Sequence, residues 1–215
     1  MFATRFLNKD VFENYDDYVQ NARPNIPENF NFAYDVVDVI ARETPDKVAV
    51  LWVNDSGEKK EITFKMLAEM SNAVANFLTM RGLTRGDTAL LFMRRRWEYW
   101  VCATALIKLG VIFVPGTLQL TKKDVAYRAN AANIELFVCV NDEYVLTQVE
   151  NALPEAPCIK HRAMVGGGSR EGWTDLNEVI STFPETFERS DAVADLNNND
   201  VMQMYFTSGT TGMPK

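Results

Sequence analysis

Residues 88–116 read TALLFMRRRWEYWVCATALIKLGVIFVPG. TALLFM (88–93) is continuously apolar, the pattern of a strand buried on both faces of a parallel sheet. WEYWVCATALIKLG (97–110) has few polar positions, which predicts a helix packed on most sides, with Trp97 and Trp100 turned inward. Val111–Val114 is a second short apolar run, closed by Pro115-Gly116. Strand, helix and strand in that order give one βαβ unit, so the two strands lie parallel.

The same alternation continues outward. Toward the N-terminus, residues 32–42 (FAYDVVDVIAR) place Phe32, Val36, Val39 and Ile40 at helical spacing, and Thr44-Pro45 ends that helix. Residues 47–53 and 61–64, joined by Asp55-Ser56-Gly57, read as a hairpin. Thr63 suits the N-cap of a helix whose apolar face is Phe64, Leu67, Ala68, Val74, Phe77 and Leu78, stopped by Gly82. Toward the C-terminus, Thr121-Lys-Lys-Asp124 has the capping-box pattern. A strand follows over 135–140, a helix over 142–152, and further strands over 162–165 and 201–206. Residues 1–30, with Pro24 and Pro27, read as an arm laid on a surface. The expected fold is α/β, with a mostly parallel sheet flanked by helices.

The chain has 215 residues, 47% hydrophobic and 24% charged, with formal net charge −7. An acidic chain lacks the basic face that nucleic acid requires. The basic cluster Arg94–Arg96 reads as a solvated helix entry with its stems on apolar surface. Cys102, Cys139 and Cys158 are too few and too scattered for a disulfide framework or a zinc knuckle, and read as buried thiols in a reducing compartment. His161 is the only histidine, which gives Ser-His-Asp and Cys-His chemistry little support. The N-terminus has no secretory pattern, and residues 100–116 are interrupted by Lys108, Gly110 and Pro115, so a soluble, cytoplasmic protein without a membrane span is expected.

Two loops remain. VGGGSREGW (165–173) reads as a flexible surface loop; the competing reading takes Arg170 to a phosphate group of a ligand. The last stretch, TSGTTGMPK (207–215), leaves the carboxyl end of a predicted strand, where ligands sit in open α/β sheets. Gly209 and Gly212 let the backbone approach a ligand closely, and successive amides there form an anion concavity. Thr207, Ser208, Thr210 and Thr211 offer hydroxyl donors and Lys215 a charge. The spacing is not that of a Walker A loop, which requires G-x-x-x-x-G-K-[ST]. By composition alone the stretch would be a Gly/Ser linker.

TSGTTGMPK resembles the phosphate-binding signature of the adenylate-forming superfamily, which includes acyl-CoA synthetases, luciferases and peptide-synthetase adenylation domains. LIKLGVIFVPG (106–116) resembles another segment of that superfamily. NFAYDVVD (31–38), PGTLQLTKKDVAYR (115–128) and SREGWTDL (169–176) look closest to medium-chain acyl-CoA synthetases. The resemblance implies a ligase that joins a carboxylic acid to ATP, giving an acyl-adenylate, and passes the acyl group to coenzyme A, with Mg²⁺ on the nucleotide. It assigns the β- and γ-phosphates to Thr207, Ser208, Gly209, Thr210, Thr211, Gly212, Met213, Pro214 and Lys215. It assigns no catalytic residue and no metal ligand within this chain. It implies that residues 31–215 are an incomplete N-terminal AMP-binding domain and that the adenine, acyl and Mg²⁺ sites and a C-terminal lid lie downstream, so the chain is expected to be an N-terminal fragment. Two other readings stay open: an adenylation module that loads a carrier protein, and a stand-alone nucleotide-binding module without chemistry.

Overall fold

In the computed structural model, residues 2–117, 120–189, 193 and 195–207 are described. The central sheet contains β3 (Thr88–Phe92), β4 (Ile112–Pro115), β5 (Leu136–Val140), β6 (His161–Val165) and β7 (Thr174–Asp175), in the order β4-β3-β5-β6-β7. All four pairings are parallel. Every residue of β3 and of β5 is buried, as continuous apolar runs require in a sheet covered on both faces.

Helices cover both faces. The first group is α2 (Asp38–Glu43), α3 (Phe64–Met80), α4 (Glu98–Leu109) and α7 (Leu176–Thr182), with α3 packed on the other three. The second is α5 (Lys122–Ala131) on α6 (Glu143–Ala152). The chain steps from β3 to β4 and then crosses back over β3 to β5, so right-handed crossovers place α4 and α5 on opposite faces. Outside the sheet, β1 (Val48–Val53) and β2 (Lys59–Thr63) form the expected antiparallel hairpin. The short helix α1 (Tyr15–Asn21) is N-capped by Asn14 and buries no residue.

Local signals act as the sequence indicates. Thr63 accepts from the Met66 amide, and Thr121 and Asp124 form a complete capping box. Gly82, at φ +84°, ends α3. The Leu83 amide donates to the Leu78 carbonyl and the Gly82 amide to Thr79, the paired bonds of a Schellman stop.

Four expectations are corrected. Residues 32–42 do not form one regular α-helix: Ala33–Val37 make a π-turn, so Ala33, Val37 and Ile40 are buried while Phe32 faces solvent. The wider turn rotates the buried stripe by a residue. Trp97 is buried, but Trp100 is 53% exposed, because it lies two turns from half-buried Ile107 on the least covered stripe of α4. Residues 201–206 do not make a full strand. They form a single parallel bridge, Gln203 beside Phe113, at the outer edge next to β4. Val201, Met202 and Tyr205 are exposed there, so the segment is covered on one side only. Cys102 and Cys139 are buried as expected, whereas Cys158 is only half-buried.

Candidate nucleotide site at the carboxyl edge of the sheet

Because the chain reverses direction between β3 and β5, the loops after these strands open a crevice at the carboxyl edge. Four stretches gather along that edge: Met93–Arg96 after β3, Pro115-Gly116 after β4, Asn141-Asp142 after β5 and Gly166–Gly168 after β6. A Cβ on Gly116 would sit 3.2 Å from the side chains of both Leu90 and Phe92, so the backbone there lies directly on the sheet.

The bridge to β4 brings residues 201–207 to this edge. The Phe113 amide donates to Met202 O and the Met204 amide to Phe113 O, so the segment runs in the direction of β4. Beyond it, the Phe206 ring lies 6.4 Å from the Tyr127 ring, and the Arg128 guanidinium sits 4.8 Å over it. Arg128 Nε is buried with no hydrogen-bond partner among the described residues. On the α4 side, burial and then the Tyr205 hydroxyl push the Tyr99 phenol above its usual value. The segment therefore delivers Thr207, the first residue of the signature, to the carboxyl edge, where it is exposed. Ser208, Gly209, Thr210, Thr211, Gly212, Met213, Pro214 and Lys215 lie outside the described residues.

The neighbouring loops are tied down by pairs that the sequence alone does not announce. Arg96 meets the fully enclosed Glu98 through two contacts, Nε to Oε2 at 3.0 Å and Nη2 to Oε1 at 2.5 Å. Asn177 donates to the same carboxylate at 3.2 Å and accepts from the Gly166 amide at 2.8 Å. One network thus joins the loop after β3, the start of α4, the loop after β6 and α7. Arg94 and Arg95 stay exposed, with Arg94 3.8 Å from Asp142, so only part of the triarginine is a solvated helix entry.

Arg170 is locked in place. Its Nε and Nη2 each donate to Glu150 at 2.7 Å and its Nη1 to Glu143 at 2.7 Å. Trp173 Nε1 also donates to Glu150 at 2.9 Å. The guanidinium holds both glutamates below the usual carboxylate range, and they in turn raise the arginine. This corrects both readings of the 165–173 loop. It is pinned, and its arginine is already paired with two carboxylates.

Burial pushes the Cys102 and Cys139 thiols up, which leaves them poor nucleophiles. Among the described residues no group of three or more His, Cys, Asp or Glu side chains could hold a metal ion. Among them, too, no helix is long and apolar enough to cross a membrane.

The sequence model of the AMP-binding enzyme family matches residues 37–215. The chain belongs to that family. Among curated relatives, the mitochondrial acyl-coenzyme A synthetase ACSM4 of Homo sapiens is 37% identical over 196 residues, covering 88% of this chain and 33% of the relative. The mitochondrial acyl-coenzyme A synthetase ACSM3 of Homo sapiens is 32% identical over 226 residues, covering 99% and 38%. The chain therefore spans about a third of the length of the curated relatives it matches. Among solved structures, the anthranilate CoA ligase AuaEII in complex with anthranoyl-AMP superposes with TM-score 0.73 at 25% identity, covering 88% of this chain and 34% of the other. The acetoacetyl-CoA synthetase from Streptomyces lividans superposes with TM-score 0.75 at 18% identity, covering 86% and 29%, a likeness of fold. This AMP-binding family member thus carries the α/β architecture with a parallel sheet expected from its sequence.

Proposed function

We propose that this AMP-binding family member is the N-terminal part of an AMP-forming acyl-CoA synthetase. The observation that carries the reading is the family match over residues 37–215, which includes the whole TSGTTGMPK signature, together with Thr207 at the carboxyl edge of the parallel sheet. The names of the relatives support an acyl–thiol ligase, and the anthranoyl-AMP held by one structural neighbour is an acyl-adenylate. In this reading residues 1–30 form an arm, residues 31–215 open the AMP-binding domain, and the adenine and acyl pockets and the lid are supplied by chain beyond Lys215.

A carboxylate oxygen attacks the α-phosphorus of ATP in line. The new O–P bond forms as the bond to the β-phosphate oxygen breaks, and pyrophosphate leaves. The thiolate of coenzyme A then bonds to the acyl carbon, and AMP leaves with the electron pair of the broken C–O bond. In the first step charge builds on the departing pyrophosphate, so fixed donors aimed at it lower the barrier. Residues 207–215 supply amides, hydroxyls and the Lys215 ammonium for that purpose. The proposed ligands are ATP with Mg²⁺, coenzyme A and a small carboxylic acid, and the proposed compartment is the cytoplasm. Fractionation of cells tests that compartment directly, since the named relatives are mitochondrial.

The experiment is a screen of short, medium, branched and aromatic acids with the full-length protein. Pyrophosphate release that requires both ATP and an acid, and acyl-CoA formation once coenzyme A is added, is the expected result. Release that ignores the acid, or none with any acid, overturns the reading.

A further inference from the structure

The amino edge of the sheet, opposite the nucleotide edge, holds a cavity of about 220 Å³. It is lined by Arg81, Lys160, His161 and Arg162, over a floor that includes Phe77 and Trp173. The basic side chains arrive by two routes. The Schellman stop at Gly82 ends α3 with Arg81 at its mouth, its guanidinium 5.3 Å over the Phe77 ring. Lys160, His161 and Arg162 are consecutive where β6 begins. Arg162 is steadied from behind: its Nε donates to Gly172 O at 3.1 Å, and its guanidinium stands 5.9 Å over the Trp173 ring.

Of the four basic side chains that line this cavity, one has a carboxylate partner among the described residues. Lys160 pairs with Glu135 at 2.9 Å. Arg81, His161 and Arg162 form no ion pair with a carboxylate among the described residues, although the chain carries 29 acidic residues against 22 lysines and arginines. By contrast, Arg170 and Arg96 each close on carboxylates. Crowded cations beside a partly apolar floor cost free energy that an anion would relieve. The groups facing His161 show the same tension: burial first, then Arg81 and Lys160, lower its pKa, while Glu135 and Asp87 raise it.

We propose that this cavity binds the dianionic phosphate group of a small phosphomonoester, at a site separate from the nucleotide edge. The two arginines supply planar donors for phosphate oxygens, Lys160 a further charge, and His161 a proton that binding retains. The floor of Phe77 and Trp173 covers a small organic group attached to the phosphate.

The test is calorimetry on the full-length protein at constant ionic strength, with inorganic phosphate and glycerol phosphate as separate probes. Saturable millimolar binding is expected for both, tighter for the ester. Binding of inorganic phosphate alone still upholds a phosphate site and identifies free phosphate as the source. Arg81→Gln and Arg162→Gln should each weaken binding about tenfold, the effect of one charge-assisted contact. Arg81 is exposed, so its replacement should leave the melting temperature unchanged and keep the test valid if Arg162→Gln folds poorly. Lys215→Ala should leave this binding unchanged, which separates the site from the signature loop. Sulfate, dianionic at every pH used, should bind more tightly as pH falls below the ordinary histidine value of 6.5, and His161→Gln should remove that dependence. No saturable heat in the wild type, unchanged affinity in both arginine variants, or loss of binding with Lys215→Ala overturns the proposal.

Discussion

Lys108 Nζ lies 2.8 Å from Asp38 Oδ1 and 3.0 Å from Oδ2, with the lysine side chain wholly enclosed. Its third contact is Asn72 Oδ1 on α3, and the Tyr34 ring lies 5.6 Å from the ammonium. One buried cation therefore ties α4 to α2 and α3 on the face of the sheet that they share. Burial works against both charges, raising Asp38 and lowering Lys108, and each offsets part of that cost for the other. Lys108→Ala leaves Asp38 and Asn72 without their cation and should destabilise the protein by about 3 kcal/mol. Replacing both, as Lys108→Met with Asp38→Leu, should recover most of that loss. Denaturant unfolding of the single and double variants checks it. A double variant no more stable than Lys108→Ala would mean that the pair is not the source of the effect.

The three glycines after β6 separate two kinds of cost. Gly167 has φ +77°, and a Cβ added there would meet nothing within 4 Å, so Gly167→Ala meets only the backbone penalty, about 1 kcal/mol. Gly168 has φ +115°, and a Cβ there would lie 2.6 Å from Asn141 Nδ2, the atom that donates to Gly167 O. Gly168→Ala should cost about 3 kcal/mol. In an Asn141→Ala background the collision disappears, and the added cost of Gly168→Ala should fall to the backbone part alone. The double-mutant cycle measures this directly.

The Arg170 clamp should open in acid. Glu150 and Glu143 have folded pKa values below the usual 4.5, chiefly through hydrogen bonds from Arg170. A carboxylate lowered by folding contributes its stabilisation in full above the unfolded value and loses it as pH falls through the folded value. The loop over 166–173 should therefore hold at neutral pH and loosen below about pH 4.5. Trp173 donates to Glu150, so its emission reports the opening. Arg170→Gln should show the loosened signal at neutral pH and lack the acid transition. An unchanged transition in that variant would place the titrating group elsewhere.

What the sequence makes legible follows from how local each cause is. TALLF and LFVCV announce strands buried on both faces, because apolar continuity alone encodes that burial. Thr121 and Asp124 announce a helix start within four residues. Lys108 cannot be read in this way, since Asp38 is 70 residues distant and a lone lysine in an apolar helix looks like an interruption. The clamp on Arg170 depends on carboxylates 20 and 27 residues earlier. β7 has two residues and no periodicity, and the segment at 201–206 has a strand's composition but one bridge, because the sheet ends there. The proposed nucleotide site is legible as a motif, and the structure adds the route by which residues 201–207 reach the carboxyl edge. The cationic cavity was not, because Arg81 joins β6 only through the fold.

The signature loop should separate charge from backbone conformation in the full-length protein. If Lys215 contacts the β- and γ-phosphates as proposed, Lys215→Ala removes one charge-assisted contact, about 1.5–3 kcal/mol, so acid-dependent pyrophosphate release should fall about ten- to a hundredfold. Gly209→Val should do more harm, because a β-branched side chain blocks close backbone approach and disfavours positive φ. Thr210→Ala should do less, since neighbouring amides and hydroxyls remain as donors. The melting temperature is the control, and none of the three should lower it by more than a small amount if the loop serves the nucleotide. Lys215→Ala and Gly209→Val that both keep full activity at unchanged stability would remove residues 207–215 from phosphate binding. Activity that falls only in step with melting temperature would make the stretch structural. The expected order of damage, Gly209→Val, then Lys215→Ala, then Thr210→Ala, belongs to a loop whose backbone shape comes first and whose charges act through it.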